Sequence, residues 1–309
     1  SMYDPAEGEP DLSEEALVER VRSTIGDDGV DVNIKSVSKW QINHVVAESY
    51  QRGRAFLVGD AAHRHPPANG LGSNTSVQDS FSLAWRLAHV LRGLAGPKLL
   101  DTYTQERQPM GRKIIDRAMK SVGDMAPIAE ALGFRPGQSV AEGWENVDEL
   151  FSPTEKGSAR REALDAAIQL QHYQFNAHGV EFDLRYSSDA IVDDGSEWPR
   201  SGRDPELYST PSARPGAPIP HARIQRGSAP ASTIDIVGRG GFTLVTGIDD
   251  AHWREAVRAV EEEFGMGIRV AQVAARGEHD DVYGDWKRLR GMGDAGALLV
   301  RPDRVIAWR

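Results

Sequence analysis

The stretch from Arg54 to Leu91 limits the fold of this chain more than any other. Arg54-Ala55-Phe56-Leu57-Val58 is a short apolar run that reads as a strand, and Gly59-Asp60 ends it. A loop of glycine, proline and asparagine follows from His63 to Asn74. The spacing then predicts a helix over 76–91, with Val77, Phe81, Ala84, Ala88 and Leu91 on one face. Leu83, Trp85, Leu87 and Val90 make that helix apolar almost all round, so it is expected to be buried. Thr75 with Gln78 reads as its capping box, and Gly93 and Gly96-Pro97 as its stop. Strand, loop and buried helix in that order make a unit of an α/β layer.

The same stretch carries the chemistry. Its glycines let a ligand approach the backbone. The first N–H groups of a helix lack intrahelical partners and lie at its partially positive end, which favours a ligand with negative charge. Asp60, at the end of the strand, can accept hydrogen bonds from sugar-like hydroxyls.

Gly59-Asp60-Ala61-Ala62-His63 with Pro66-Pro67 and Asn69-Gly70-Leu71-Gly72-Ser73-Asn74 resembles the second flavin motif of the single-component FAD-dependent aromatic hydroxylases, enzymes of the p-hydroxybenzoate hydroxylase fold. The resemblance extends through Leu99-Leu100-Asp101-Thr102-Tyr103 and Glu106-Arg107-Gln108-Pro109 to Gly296–Asp303 and the ending Ala307-Trp308-Arg309. Its wording is nearest the dichlorophenol and phenol hydroxylase branch. It implies that Asp60 binds the ribityl chain of FAD, and that Gly70, Leu71, Gly72, Ser73 and Asn74 contact the pyrimidine edge. Pro67 would lie beside the flavin and the substrate, and Trp40 is a further candidate to line the substrate cavity. The activity implied is hydroxylation of a (chloro)phenol ortho to its hydroxyl, with NADPH and O2 as co-substrates. A polyketide-tailoring flavin hydroxylase and a non-catalytic remnant that dimerises are the alternatives.

Such enzymes open on a strand and a G-x-G-x-x-G turn for the flavin pyrophosphate. No such turn precedes residue 59, so the chain is expected to carry only the C-terminal part of the family's fold. Gly291-Met292-Gly293-Asp294-Ala295-Gly296 has the spacing but leads into a strand pattern, and reads as coincidence. His63-Arg64-His65 has no third ligand at metal-binding spacing and reads as part of the loop.

Around this segment the sequence predicts a helix over 11–26, capped by Asp11 or Ser13, and a strand over 37–46. Helices over 100–119, with a kink at Pro109, and 158–176 follow. Seven prolines between Pro199 and Pro230 mark an extended connector. Strands over 232–237, 242–246, 268–273, 296–300 and 305–308 surround a helix with Trp253, Val257 and Phe264 in its apolar face. The expected fold class is α/β (α+β): an incomplete flavin domain (1–125), a helical extension (126–193), the connector (194–231) and a C-terminal domain (232–309). By resemblance that last domain is thioredoxin-like without cysteines, and the chain has none. A thiolate metal site and disulfide chemistry are thereby excluded. The net charge of -10 argues against nucleic acid or an anionic membrane as partner. No signal or spanning segment is evident, so a cytoplasmic homo-oligomer acting on an aromatic small molecule is the expectation.

Overall fold

The computed structural model describes residues 8–39 and 42–309; Trp40 lies outside them. The chain divides into two compact units, residues 1–42 and 43–309. The first holds helix α1 (Glu14–Ile25), capped by the Ser13 hydroxyl, which accepts from the amide of Ala16 at 3.4 Å. It ends at Gly26, whose φ of 77° closes the last turn in the left-handed region, where glycine is unstrained.

In the second unit, β1 (Val45–Val46) pairs antiparallel with β4 (His63–Arg64). Among the described residues of the strand expected over 37–46, only these two find a ladder partner. The apolar run before Gly59 is likewise shorter than expected: β2 (Gln51–Arg52) and β3 (Ala55–Phe56) form a hairpin around Gly53. Helix α2 (Gly72–Leu91) starts four residues earlier than the pattern implied. The Thr75 hydroxyl does not cap it; it donates to the carbonyl of Leu71 inside the first turn, at 2.8 Å.

Helix α3 (Lys98–Asp124) contains Pro109 and packs against α2. The buried face of α2 differs from the expectation. Asp79, Ser82, Arg86 and His89 point inward with Leu83 and Trp85, while Val77, Phe81 and Leu91 are exposed. The reason is that α3 supplies charged partners for the inward polar groups, so their burial is compensated. After α3 come α4 (Ala126–Leu132), α5 (Val140–Leu150), α6 (Glu155–Leu170), α7 (His172–Phe175) and α8 (His178–Phe182).

The proline-rich stretch is more ordered than a bare connector. Strands β5 (Arg223–Arg226) and β6 (Ala229–Ser232) form a hairpin within it. Ser232 is the last residue of β6; Thr233 turns away, its buried hydroxyl donating to the carbonyl of Pro220 at 2.6 Å. The C-terminal sheet contains β7 (Phe242–Thr246), β8 (Ile268–Gln272), β9 (Ala297–Val300) and β10 (Ile306–Trp308), in the order β10-β9-β7-β8. β7 and β8 are parallel, linked through α9 (Ala251–Phe264), and the other pairs are antiparallel. On α9, Val257 is buried and Trp253 packs partly, but Phe264, expected in the core, is exposed. Short α10 (Asp285–Leu289) places Trp286 in the core with Val245, Leu298 and Ile306. Ala213, Ile219, Ala222 and Ile224 join that core from the proline-rich stretch.

A buried ionic cluster ties this module to α2 and α3. Glu106 of α3 accepts from Arg86 of α2 at 2.5 Å and from both terminal nitrogens of Arg301, at 2.6 and 2.8 Å. Arg301 also pairs with Asp303 at 2.6 Å, and the Trp85 indole donates to Asp303 at 3.0 Å. Two arginines thus face two carboxylates, so the charge closes within the cluster. No described helix is long and apolar enough to cross a membrane.

Candidate functional site

The glycine-rich loop is held from beneath by one carboxylate. Asp79, fully buried on α2, accepts from the amide of Gly59 at 3.2 Å and pairs with His63 Nε2 at 2.8 Å. Its other oxygen accepts from Arg107 of α3 at 2.7 Å. Burial pushes the Asp79 carboxyl up, but the His63 hydrogen bond and the Arg107 charge outweigh it and hold it below the usual carboxylate range. Arg107 is itself buried; its other bonds go to the Tyr186 hydroxyl at 2.6 Å and the Thr75 carbonyl at 3.4 Å. Sequence reading assigns no site role to Asp79 or Arg107. Their signal is Asp79, a charge on the one helix predicted to be apolar all round, which an opposite charge such as Arg107 makes tolerable to bury.

Above this hub, Gly59–Ala61 forms a 3-10 turn with Gly59 at φ 58°. A Cβ there would come within 2.7 Å of the Ser76 hydroxyl, so the turn lies directly on the first turns of α2. Asp60 stands on this turn with its side chain exposed and no polar partner among the described residues. A second 3-10 turn, Ala68–Gly70, carries consecutive left-handed residues, Asn69 at φ 67° and Gly70 at φ 61°. The Asn69 amide pins it by donating to the carbonyl of Tyr173 at 2.7 Å. Leu71 is buried against Ile114, Ala177 and Val180 and fixes the start of α2.

The N-terminus of α2 has no side-chain cap. Its first amides, around Gly72, Ser73 and Asn74, therefore lack a helical acceptor. Pro67, Gly70, Ser73 and Asn74 are exposed, Gly72 is half-buried, and Leu71 alone of the expected site residues that are described is buried. The fold thus brings the Asp60 turn onto the open end of α2, with Gly70–Asn74 leading into it. An exposed carboxylate beside uncapped amides can bind a polyol and a group that carries negative charge. His63 is committed to Asp79, and among the described residues no three His, Asp or Glu side chains are placed to hold a metal ion. Gly291–Gly296 leads into β9 and opens no helix, so it offers no phosphate cradle.

Comparison with known proteins gives two family matches. Residues 1–118 match the family described as FAD binding domain, and residues 212–309 match aromatic-ring hydroxylase, C-terminal. The chain is 46% identical over 307 residues to 2,4-dichlorophenol 6-monooxygenase of Delftia acidovorans, covering 99% of this chain and 52% of that protein. It is 39% identical to phenol 2-monooxygenase of Pseudomonas sp. (strain EST1001), over 99% of this chain and 51% of the relative. Among solved structures, the flavin-dependent monooxygenase PieE, in complex with FAD and substrate, superposes with a TM-score of 0.91 at 48% identity. That match covers 100% of this chain and 53% of PieE. The chain spans about half the length of the relatives it matches.

Proposed function

Because the chain belongs to the FAD-dependent aromatic-ring hydroxylases and is similar to dichlorophenol and phenol monooxygenases, we propose that it forms the ribityl and ring side of an FAD site in a phenol-hydroxylating monooxygenase. The observation that carries this reading is the juxtaposition of unpartnered Asp60 with the uncapped start of α2. Asp60 would accept hydrogen bonds from the ribityl hydroxyls. The Gly70–Asn74 backbone would meet the pyrimidine edge, where the end of a helix favours negative charge. Pro67 is exposed beside this opening and is the residue we assign to the flavin face and the substrate. Bound FAD would supply electron transfer from NADPH and the activation of O2. The protein's part is to hold the ring in place and to keep water out. We read the aromatic substrate as a (chloro)phenol hydroxylated ortho to its hydroxyl, and the protein as cytoplasmic and homo-oligomeric. The order of the C-terminal sheet, with its parallel β7-α9-β8 unit, supports a thioredoxin-like reading of that domain.

Among the described residues no glycine turn opens a helix in the manner that holds a dinucleotide pyrophosphate. A charge-assisted hydrogen bond contributes about 1.5–3 kcal/mol, and about 1.4 kcal/mol is tenfold in affinity. The 309-residue chain alone is therefore expected to lose FAD on a desalting column and to show no phenol-dependent NADPH oxidation. Fused behind the N-terminal half of 2,4-dichlorophenol 6-monooxygenase, it should retain FAD, and Asp60→Ala in that fusion should weaken flavin binding at least about tenfold. Stoichiometric FAD on the 309-residue chain would overturn the half-site reading, and an unchanged affinity in the Asp60→Ala fusion would overturn the ribityl assignment.

A further inference from the structure

A cavity of about 310 Å³ lies between α8, the proline-rich stretch and the C-terminal module, and shares no residue with the 59–75 loop. Its apolar surface comes from Leu184, Ala217, Pro218, Ile219, Pro220 and Ile234, with Trp198 beside them. That size is at the low end of small-molecule pockets, roughly 300–1,000 Å³. It admits one substituted ring and excludes a dinucleotide.

The polar groups around it are unevenly balanced. Asp183 is already satisfied: its carboxylate accepts from the Ser209 hydroxyl at 2.5 Å and from the amide of Thr210 at 2.9 Å. Arg185 is not: among the described residues it forms no ion pair, and its guanidinium lies 5.1 Å from the Trp198 ring centroid, whereas Arg214, 4.5 Å from the same ring, is paired with Asp193. Lys113 is held close by, its ammonium donating to the carbonyls of Gly179 and Asp183 at 3.2 and 3.5 Å. Burial pushes the Lys113 ammonium down against the opposing charge of Asp183, with Arg185 adding to the fall and Glu206 resisting it. Arg185 is thus the one cation of the cavity lining, and among the described residues no carboxylate pairs with it. His221, the remaining titratable side chain of the lining, pairs with the Ser232 hydroxyl at 2.7 Å.

We propose that this cavity is a second binding site, for a monocyclic aromatic anion whose ring lies on the apolar floor and whose carboxylate or phenolate meets Arg185. The apolar floor gains from desolvating a ring, and the free guanidinium gains from a charged oxygen. Neither part selects the ligand alone, so a neutral ring and a ringless acid should both be poor ligands. The site does not depend on the flavin reading of the 59–75 loop.

The test uses the 309-residue chain with benzoate, its neutral analogue benzamide, and acetate, followed by isothermal titration and by nuclear magnetic resonance. Benzoate should bind saturably and shift the Trp198 indole N–H signal, assigned through Trp198→Phe. Benzamide and acetate should each bind about tenfold more weakly or worse, the loss expected for one charge-assisted contact. Arg185 is exposed, so Arg185→Gln should leave the fold intact, checked by circular dichroism, while reducing benzoate to the level of benzamide. Arg185→Lys should retain part of the affinity. The proposal is overturned if benzoate fails to saturate, if acetate matches it, if Arg185→Gln leaves it unchanged, or if the shifts fall on residues 59–75 instead.

Discussion

At the scale of single residues, the second unit depends on a few close approaches that its composition does not advertise. Gly111 on α3 faces Tyr50, whose buried hydroxyl has no hydrogen-bond partner, and a Cβ at Gly111 would fall inside the van der Waals shell of that oxygen. Burial also pushes the Tyr50 hydroxyl far above its ordinary value, so it stays protonated. Gly111→Ala is expected to cost about 1–3 kcal/mol, the usual penalty of overpacking. Tyr50→Phe should be close to neutral, since it removes a buried polar atom that already lacks a partner. The pair together should recover most of what Gly111→Ala loses, and urea melts of the four proteins read this directly. The placement of Asp60 and the 70–74 loop at the start of α2 was legible because glycine and a lone carboxylate next to a helix start are local signals. Asp79 and Arg107 were not, because their meaning depends on a partner 28 residues away.

Elements show the same division. α1 and α9 were legible from period and caps, and β7 and β8 from short apolar runs, β7 being the buried inner strand of its sheet. α2 misled, because its inward face is polar and its charges are balanced by α3 and by the β9–β10 turn. Burial pushes the carboxyls of Glu106 and Asp303 up, but Arg301 and Arg86 hold both below their ordinary values. Each carboxylate thus contributes stability that is in full force above about pH 4 and fades as the pH falls through the depressed native value. Thermal melts between pH 7 and pH 3 should show this acid limb. Glu106→Gln removes the carboxylate that Arg86 and Arg301 share and leaves Asp303 alone to face both, so it should be weaker by about 3–5 kcal/mol at pH 7 and should flatten the limb. A wild-type melting temperature that stays level down to pH 3 would count against the cluster.

Over the whole molecule, the proline-rich stretch decides where the C-terminal module begins. Ala213, Ile219, Ala222 and Ile224 lie in its core, and Ile306 donates its amide to the carbonyl of Ala217 at 2.9 Å. A piece spanning 212–309 should therefore melt well above one spanning 232–309, by circular dichroism; equal melting would place the boundary at the later position. The outward face of α2 bears on assembly. Val77, Phe81 and Leu91 are 67%, 46% and 82% exposed, a row of large apolar side chains along one helix. Such a patch favours association. Sedimentation should show concentration-dependent self-association of this chain, and Phe81→Ser with Leu91→Ser should reduce it. The sequence pattern identified these residues as one apolar face; that the face points outward depended on which side α3 could neutralise.

The ionic cluster also sets a rule for recombining such proteins. A chimera joined near residue 212 would take Arg86 and Glu106 from one parent and Arg301 and Asp303 from the other. The seam is far from the cluster, yet the compatibility of the halves would be decided there, by whether a donor module brings an Arg-x-Asp turn to a host glutamate. Donors lacking that turn should give insoluble hybrids however similar they are elsewhere, and a single restored arginine should rescue fewer of them than the arginine and aspartate transplanted together.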